Sequence, residues 1–264
     1  MQLKLEARRI SKNFVDHNED VLPVLSDISL QVHPSEFVSI VGASGCGKTT
    51  FLRILDGLIV PSSGDLLVDG REVVGPDHKR GFVFQKDSLW PWRTTIGNVI
   101  FGLQIRRRPR RESQAIAQKL IELVGLEGFE SHYPHQLSGG MRQRVNLARA
   151  LAINPEVLLM DEPFASLDAQ TREVMQLELV RICDAERKTV IFVTHQIDEA
   201  VFLSDRVIVF AARPGRVKEI VPIELPRPRP FAIKRSPDFI AYVDRIWSLL
   251  EEEVFKSSGV PRPN

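Results

Sequence analysis

The run Val38-Ser39-Ile40-Val41 passes without a break into Gly42-Ala43-Ser44-Gly45-Cys46-Gly47-Lys48-Thr49-Thr50. No other stretch constrains the fold as tightly. An apolar strand, a glycine-rich loop with G-x-x-x-x-G-K-[ST] spacing and a helix start form the unit that cradles phosphate. Gly42, Gly45 and Gly47 carry no side chain, so the loop's backbone N–H groups can converge on anionic oxygens at a helix N-terminus. Lys48 supplies a point charge for terminal phosphates, Thr49 a hydroxyl for Mg²⁺, and Thr50 its backbone. Phe51, Leu52, Leu55 and Leu58 then recur as a core-facing stripe, and Cys46 reads as a small loop filler. The same residues could form a plain glycine turn with an exposed lysine. The strand–loop–helix context favours the phosphate site.

Further short apolar runs at residues 81–84, 157–160, 190–193 and 206–210 read as buried strands of an α/β sheet. The alternation of Leu3 and Leu5 with Ile28, Leu30 and Val32 predicts antiparallel strands flanking the first nucleotide unit. A long polar stretch over residues 86–154 carries helical patterns at 113–124 and 138–152 and reads as a helical lobe inserted between strands. In 264 residues, 43% hydrophobic content is enough for a sizeable core. The 35 Lys and Arg against 34 Asp and Glu leave a net charge of +1, so bulk charge favours neither nucleic acid nor an acidic surface. Two cysteines, Cys46 and Cys183, lack metal-ligand spacing and suit a reducing cytoplasm. No apolar run approaches the ~18 residues of a membrane span, and the first residues lack a signal-peptide core, so a transport role requires a second polypeptide to form the pathway.

The run 157–160 ends in Asp161-Glu162-Pro163. Alone, this pair also suits a solvated strand exit; with the phosphate loop upstream it suits phosphoryl transfer, Asp161 holding Mg²⁺ and Glu162 polarising the attacking water. Between the two motifs lies Leu137-Ser138-Gly139-Gly140-Met141-Arg142-Gln143-Arg144. Ser138 can cap a helix that turns Val145, Ala148 and Leu151 inward, while Gly139 and Gly140 leave N–H groups open to an anion. By itself this is a capped helix start. Together with the other motifs it closely resembles the signature of ATP-binding cassette proteins. That resemblance covers residues 1–225. It implies a P-loop NTPase (RecA-like) core with an antiparallel β subdomain and an inserted α-helical subdomain, ATP and Mg²⁺ as cofactors, and a homodimer sandwiching ATP. It further implies that Gln85 senses Mg²⁺ and the attacking water, that Ser166-Leu167-Asp168 crosses between subunits, and that His195 contacts the γ-phosphate. Phe14 resembles the aromatic that stacks on adenine, with core packing as the rival. Met141 and Gln196 depart from the residues frequent in the family; neither is assigned to catalysis.

The stretch 89–99, LWPWRTTIGNV, follows Gln85 where transporter cassettes receive a permease helix, and Trp90 and Trp92 suit either that groove or the core of the lobe. With LSGGMRQR and the ending SPDFIAYVDRIWSLLEEE, the pattern resembles the nitrate, sulfonate and taurine importer ATPases. This implies integral membrane permease subunits, indirectly an extracytoplasmic substrate-binding protein, no nucleic acid, and a peripheral place on the cytoplasmic face of the cell membrane. The alternative is a non-transport cassette of DNA repair or translation, although this chain shows neither a second cassette nor a coiled-coil insert; a small kinase ranks third. The basic run at 106–111, and Arg227 and Arg229, could face lipid headgroups or permease loops, or simply solvent. Residues 226–264 read as a linker and an amphipathic helix capped by Ser236, with Phe239, Val243, Ile246, Leu250 and Val254 on one face docking on its own domain, a dimer interface being the alternative.

Overall fold

The alternation at the start of the chain becomes a twisted antiparallel pair. In the computed structural model, which describes residues 2–15, 19–86 and 88–258, β1 (Leu5–Val15) pairs with β2 (Val21–Val32) in the register Leu5↔Val32, Ala7↔Leu30, Ile10↔Ile28. That register buries all six side chains on one face. Leu3 precedes the strand and is half-buried. The other edge of β1 takes β4 (Ser63–Val68), and β4 takes β5 (Arg71–Glu72). Contacts group residues 1–76 and 189–264 into one compact unit and 77–188 into another.

In the first unit, β3 (Phe37–Gly42) is buried along its whole length, which is why its sequence is a near-continuous apolar run rather than an alternation. It lies parallel to β8 (Thr189–Val193) and β9 (Arg206–Ala211), and β10 (Arg216–Pro222) is antiparallel to β9. Helix α1 (Lys48–Asp56) leaves the loop after β3 and stops at Gly57, whose left-handed φ of 85° turns its N–H onto the carbonyls of Arg53 and Ile54. The expected stripe is corrected here. Leu58 lies beyond the helix and is 46% exposed, and Ile54 is buried in its place. Helix α7 (Ile197–Leu203) follows β8, and α8 (Pro237–Ser258) packs on α7, β9 and β10 of the same unit. Ser236 Oγ accepts the Phe239 N–H at 3.3 Å to start α8. Phe239, Ile246 and Leu250 are buried and Val243 half-buried, while the side chain of Val254 lies outside the described residues.

In the second unit, β6 (Arg80–Val83) and β7 (Val157–Asp161) are parallel. Between them run α2 (Thr95–Val99), α3 (Phe101–Ile105), α4 (Arg110–Leu123) and α5 (Gly139–Ala152), and α6 (Ala169–Glu186) follows β7. Helix α4 starts three residues earlier than its apolar periodicity indicates, so Arg110 and Arg111 form its first turn. Two further arginines of the run are occupied locally: Arg106 donates to the Ile153 carbonyl at 3.0 Å, and Arg108 pairs with Glu112. Among the described residues, no helix is long and apolar enough to cross a membrane.

Candidate nucleotide site

In open α/β sheets ligands bind beyond the carboxyl ends of the parallel strands. In the first unit that edge presents the loop 42–48. Gly47 sits at φ 92°, and a Cβ there would lie 2.5 Å from Leu25 Cδ2; a Cβ on Gly42 would meet Cys46 Sγ at 2.7 Å. The loop therefore has its tight path only because these positions carry no side chain. Ala43 and Cys46 are buried, Ser44 and Gly45 exposed, and Thr49 and Thr50 half-buried in the first turn of α1. Lys48 is buried; its ammonium curls over the loop and donates to the carbonyls of Gly42 at 2.7 Å and Ala43 at 3.0 Å. Burial pushes the Cys46 thiol above its ordinary range, with the neighbouring Lys48 charge opposing, so it is a neutral filler rather than a thiolate.

The β3–β8 register Ile40↔Val193, continued by Thr194 N–H to Ile40 O at 3.2 Å, brings His195 out level with Gly42. His195 is exposed. The Thr194 hydroxyl donates to the buried Glu199 carboxylate and accepts the Gln196 N–H at 3.0 Å, which shapes the turn leading from His195 into α7. Phe14 lies on β1, 39% exposed, with Lys12 Nζ 5.1 Å from its ring centroid, so it is a surface aromatic and not a core residue.

In the second unit, Val83 pairs with Met160, so Gln85 and Glu162 each stand two residues past that registered pair. Gln85 Nε2 donates to Glu162 Oε2 at 3.1 Å. Asp161 is buried as the last residue of β7, and Glu162 adopts φ 46°, a left-handed conformation that costs a non-glycine residue about 1–3 kcal/mol. In this conformation the carboxylate meets Gln85. The Phe84 carbonyl, just before Gln85, accepts hydrogen bonds from two α5 side chains, Gln143 at 3.2 Å and Asn146 at 3.1 Å. Both are buried. Sequence reasoning overlooked them, although polar residues three apart on the otherwise apolar inward face of a helix are a readable signal of a buried carbonyl to satisfy.

Ser138 caps α5 by accepting the Met141 N–H at 3.2 Å. Gly139 is exposed, and a Cβ on Gly140 would meet Leu167 Cδ2 at 3.2 Å, so Gly140 lets the start of α5 lie against the 166–168 segment. Arg172 braces that segment through the carbonyls of Leu167 at 2.8 Å and Phe164 at 3.3 Å. Asp168 caps α6 by accepting the Thr171 N–H at 3.0 Å, and bonding to Thr171 holds its carboxyl below the ordinary range. Among the described residues no cluster of three or more His, Cys, Asp or Glu could hold a metal. Of the oxygen donors expected to take Mg²⁺, the Thr49 hydroxyl belongs to the first unit and the Asp161 carboxylate to the second; each is a hard oxygen of the kind that ion takes.

The tryptophans are not core. Trp90 is 36% and Trp92 68% exposed, their rings 5.2 Å apart. Buried Asn98 holds the turn that displays them, accepting the Trp90 N–H at 2.8 Å and donating to the carbonyls of Trp90, Arg93 and Thr94.

The family model described as ABC transporter matches residues 25–165, the stretch that holds the loop, Gln85, Ser138 and Glu162. An uncharacterized ABC transporter ATP-binding protein of Methanocaldococcus jannaschii is 53% identical over 97% of this chain and 95% of its own length. The chain belongs to the ABC transporter family of ATP-binding proteins. This cassette is also 44% identical to a nitrate import ATP-binding protein of Synechocystis sp. over 94% of the chain and 95% of that protein. It is 48% identical to a taurine import ATP-binding protein of Rhizobium johnstonii over 86% of the chain and 88% of that protein. Among solved structures, a dimeric ATP-binding cassette in a post-hydrolysis state bound to ADP and Pi superposes with a TM-score of 0.77 at 33% identity, covering 84% of this chain and 99% of that one. The fold is that of the cassette P-loop NTPases, and the protein is an ABC-type ATPase with ATP as its nucleotide.

Proposed function

We propose that this cassette works as a homodimer at the cytoplasmic face of the cell membrane and drives substrate uptake through separate integral membrane permease subunits. The substrate class is that of the nitrate, sulfonate and taurine importers, with an extracytoplasmic binding protein delivering the substrate. The observation that carries the catalytic part is the Gln85–Glu162 hydrogen bond, which holds an acceptor carboxylate in a strained, directed conformation at the end of a buried strand. The import part is supported by the two relatives whose names specify nitrate and taurine import.

In this reading the backbone of residues 42–50 and the Lys48 ammonium hold the β- and γ-phosphates, and Phe14 stacks on the adenine. Thr49, Asp161 and Gln85 are the residues that would hold Mg²⁺; the ion when bound would neutralise charge developing on the phosphates. Glu162 orients water for in-line attack and takes its proton, and His195 donates toward the γ-phosphate oxygens. Ser138, Gly139 and Gly140 present the α5 N-terminus to the nucleotide of the partner copy, and Asp168 lies in the segment that crosses between copies. Trp90 and Trp92 offer the permease an exposed aromatic surface.

The test is co-purification of the tagged chain from its native membranes, with ATP hydrolysis compared between wild type and Lys48→Ala. Recovery of a permease with hydrolysis that depends on Lys48 supports the reading. Recovery on ribosomes or nucleic acid, with no permease, overturns it in favour of a non-transport cassette.

A further inference from the structure

Helix α7 has seven residues, too few to be stable from its own hydrogen bonds. Its first residue is two past His195, and Gln196, at its N-cap, makes no side-chain capping bond. Its last four carbonyls, those of Ala200, Val201, Phe202 and Leu203, have no partner within the helix. Each is nevertheless satisfied. The Ser204 N–H takes Ala200 O at 3.2 Å, and guanidinium groups from the Pro-Arg-Pro-Arg-Pro stretch at residues 226–230 take the other three.

Arg229 is buried, and its Nη1 donates to the carbonyls of Val201 and Phe202, both at 2.9 Å, and of Ser204 at 2.8 Å. Its Nη2 reaches Ile223 O and Leu225 O, each at 3.3 Å, which tie the chain just after β10 to the same point. Arg227 Nη2 donates to Leu203 O at 2.7 Å while its Nε pairs with Asp205 Oδ1 at 3.0 Å. The second oxygen of Asp205 accepts the Phe37 N–H at 2.8 Å, so this group is joined to the start of β3. Phe231 then stacks on Phe202 with centroids 5.3 Å apart, and Lys234 Nζ lies 4.9 Å over the Phe202 ring. Two cations and a third beside the carbonyl end of a helix also meet its negative pole, where positive charge is favoured. The alternatives open in the sequence for Arg227 and Arg229, a lipid- or permease-facing pair or a solvated face, are thereby replaced.

From these contacts we infer that Arg229 and Arg227 are positioning residues for the His195 turn: the segment after β10 forms the C-terminal cap of α7 and sets where His195 stands. A short helix held at its far end moves as a rod, and its ~10 Å length carries any displacement of that end to the histidine. The 226–235 stretch is then part of the ATPase machinery and not a linker to α8. This rests on the γ-phosphate role proposed above for His195.

The test combines amide hydrogen exchange with steady-state ATP hydrolysis on the full chain carrying Arg229→Lys, Arg227→Gln, His195→Ala and the double change Arg229→Lys with His195→Ala. Lysine keeps the charge but cannot reach from one ammonium both the α7 carbonyls and those of Ile223 and Leu225, and Arg227 is partly exposed, so both variants avoid the fully orphaned carbonyls that could prevent folding in Arg229→Gln. The expected result is exchange over residues 197–204 faster by about tenfold, with β3 and α1 unmoved. In the same variants kcat falls by about tenfold at a KM for ATP near wild type, and Arg229→Lys adds no further loss to His195→Ala. Unchanged exchange over 197–204 overturns the cap, and losses that multiply in the double variant overturn its action through His195. Full activity in His195→Ala alone instead removes the histidine role, while the exchange data still decide the cap.

Discussion

Two regions that carry the nucleotide motifs are built by different means. The loop of residues 42–48 is made of backbone: glycines clear the path, a buried lysine folds over its carbonyls, and the geometry is complete within one short stretch of sequence. The Gln85–Glu162 pair is made of side chains 77 positions apart that meet because β6 and β7 are parallel in one register, and because Gln143 and Asn146 hold the carbonyl preceding Gln85. A site of the first kind is strained by adding a single atom, whereas one of the second kind is misaligned by changes on a different element.

That contrast is sharpest at Glu162. Glu162→Gln keeps a partner for Gln85 but removes the proposed base, and should lower kcat by about 10²–10⁴-fold with ATP binding retained; single-turnover hydrolysis near the wild-type rate would show that the carboxylate only positions Gln85. Lys48→Ala should act on binding instead, weakening nucleotide affinity about 10- to 100-fold, as expected for one charge-assisted contact of about 1.5–3 kcal/mol, and titration with a fluorescent ATP analogue measures it. Gly47→Ala puts a Cβ 2.5 Å from Leu25 at φ 92° and should cost about 1–3 kcal/mol of stability in urea unfolding. Full stability there would mean that the loop relaxes and that its backbone path is less specified than its contacts indicate. The mildest change is in the register half: Gln143→Ala or Asn146→Ala should each cost about 1 kcal/mol, with the double variant costing more than their sum because the Phe84 carbonyl then has neither donor. Additive losses would mean that the two amides act independently of that carbonyl.

The same difference explains what could be read in advance. The phosphate loop, the Ser138 cap and the strand before Asp161 depend on spacing and local preference, and their residues stand where periodicity puts them. Leu58 was misplaced because a three-residue period does not see the left-handed turn at Gly57 that ends α1. Helix α6 went unnoticed because its buried side, with Met175, Gln176, Leu179, Ile182 and Cys183, includes a polar residue and gives little amphipathic contrast. Its signal is the Asp168 cap three residues before Thr171.

Sequence alone determined the phosphate loop, the order of the motifs and the family, because each rests on residues close in the chain whose chemistry does not depend on distant neighbours. Tertiary structure decided that Gln85 bonds Glu162, that Trp90 and Trp92 are displayed by Asn98, and that Arg227 and Arg229 turn inward onto α7. The physical reason is that a buried carbonyl or carboxylate must find a donor, and which donor lies within reach is set by strand register and helix packing, quantities that no local pattern encodes.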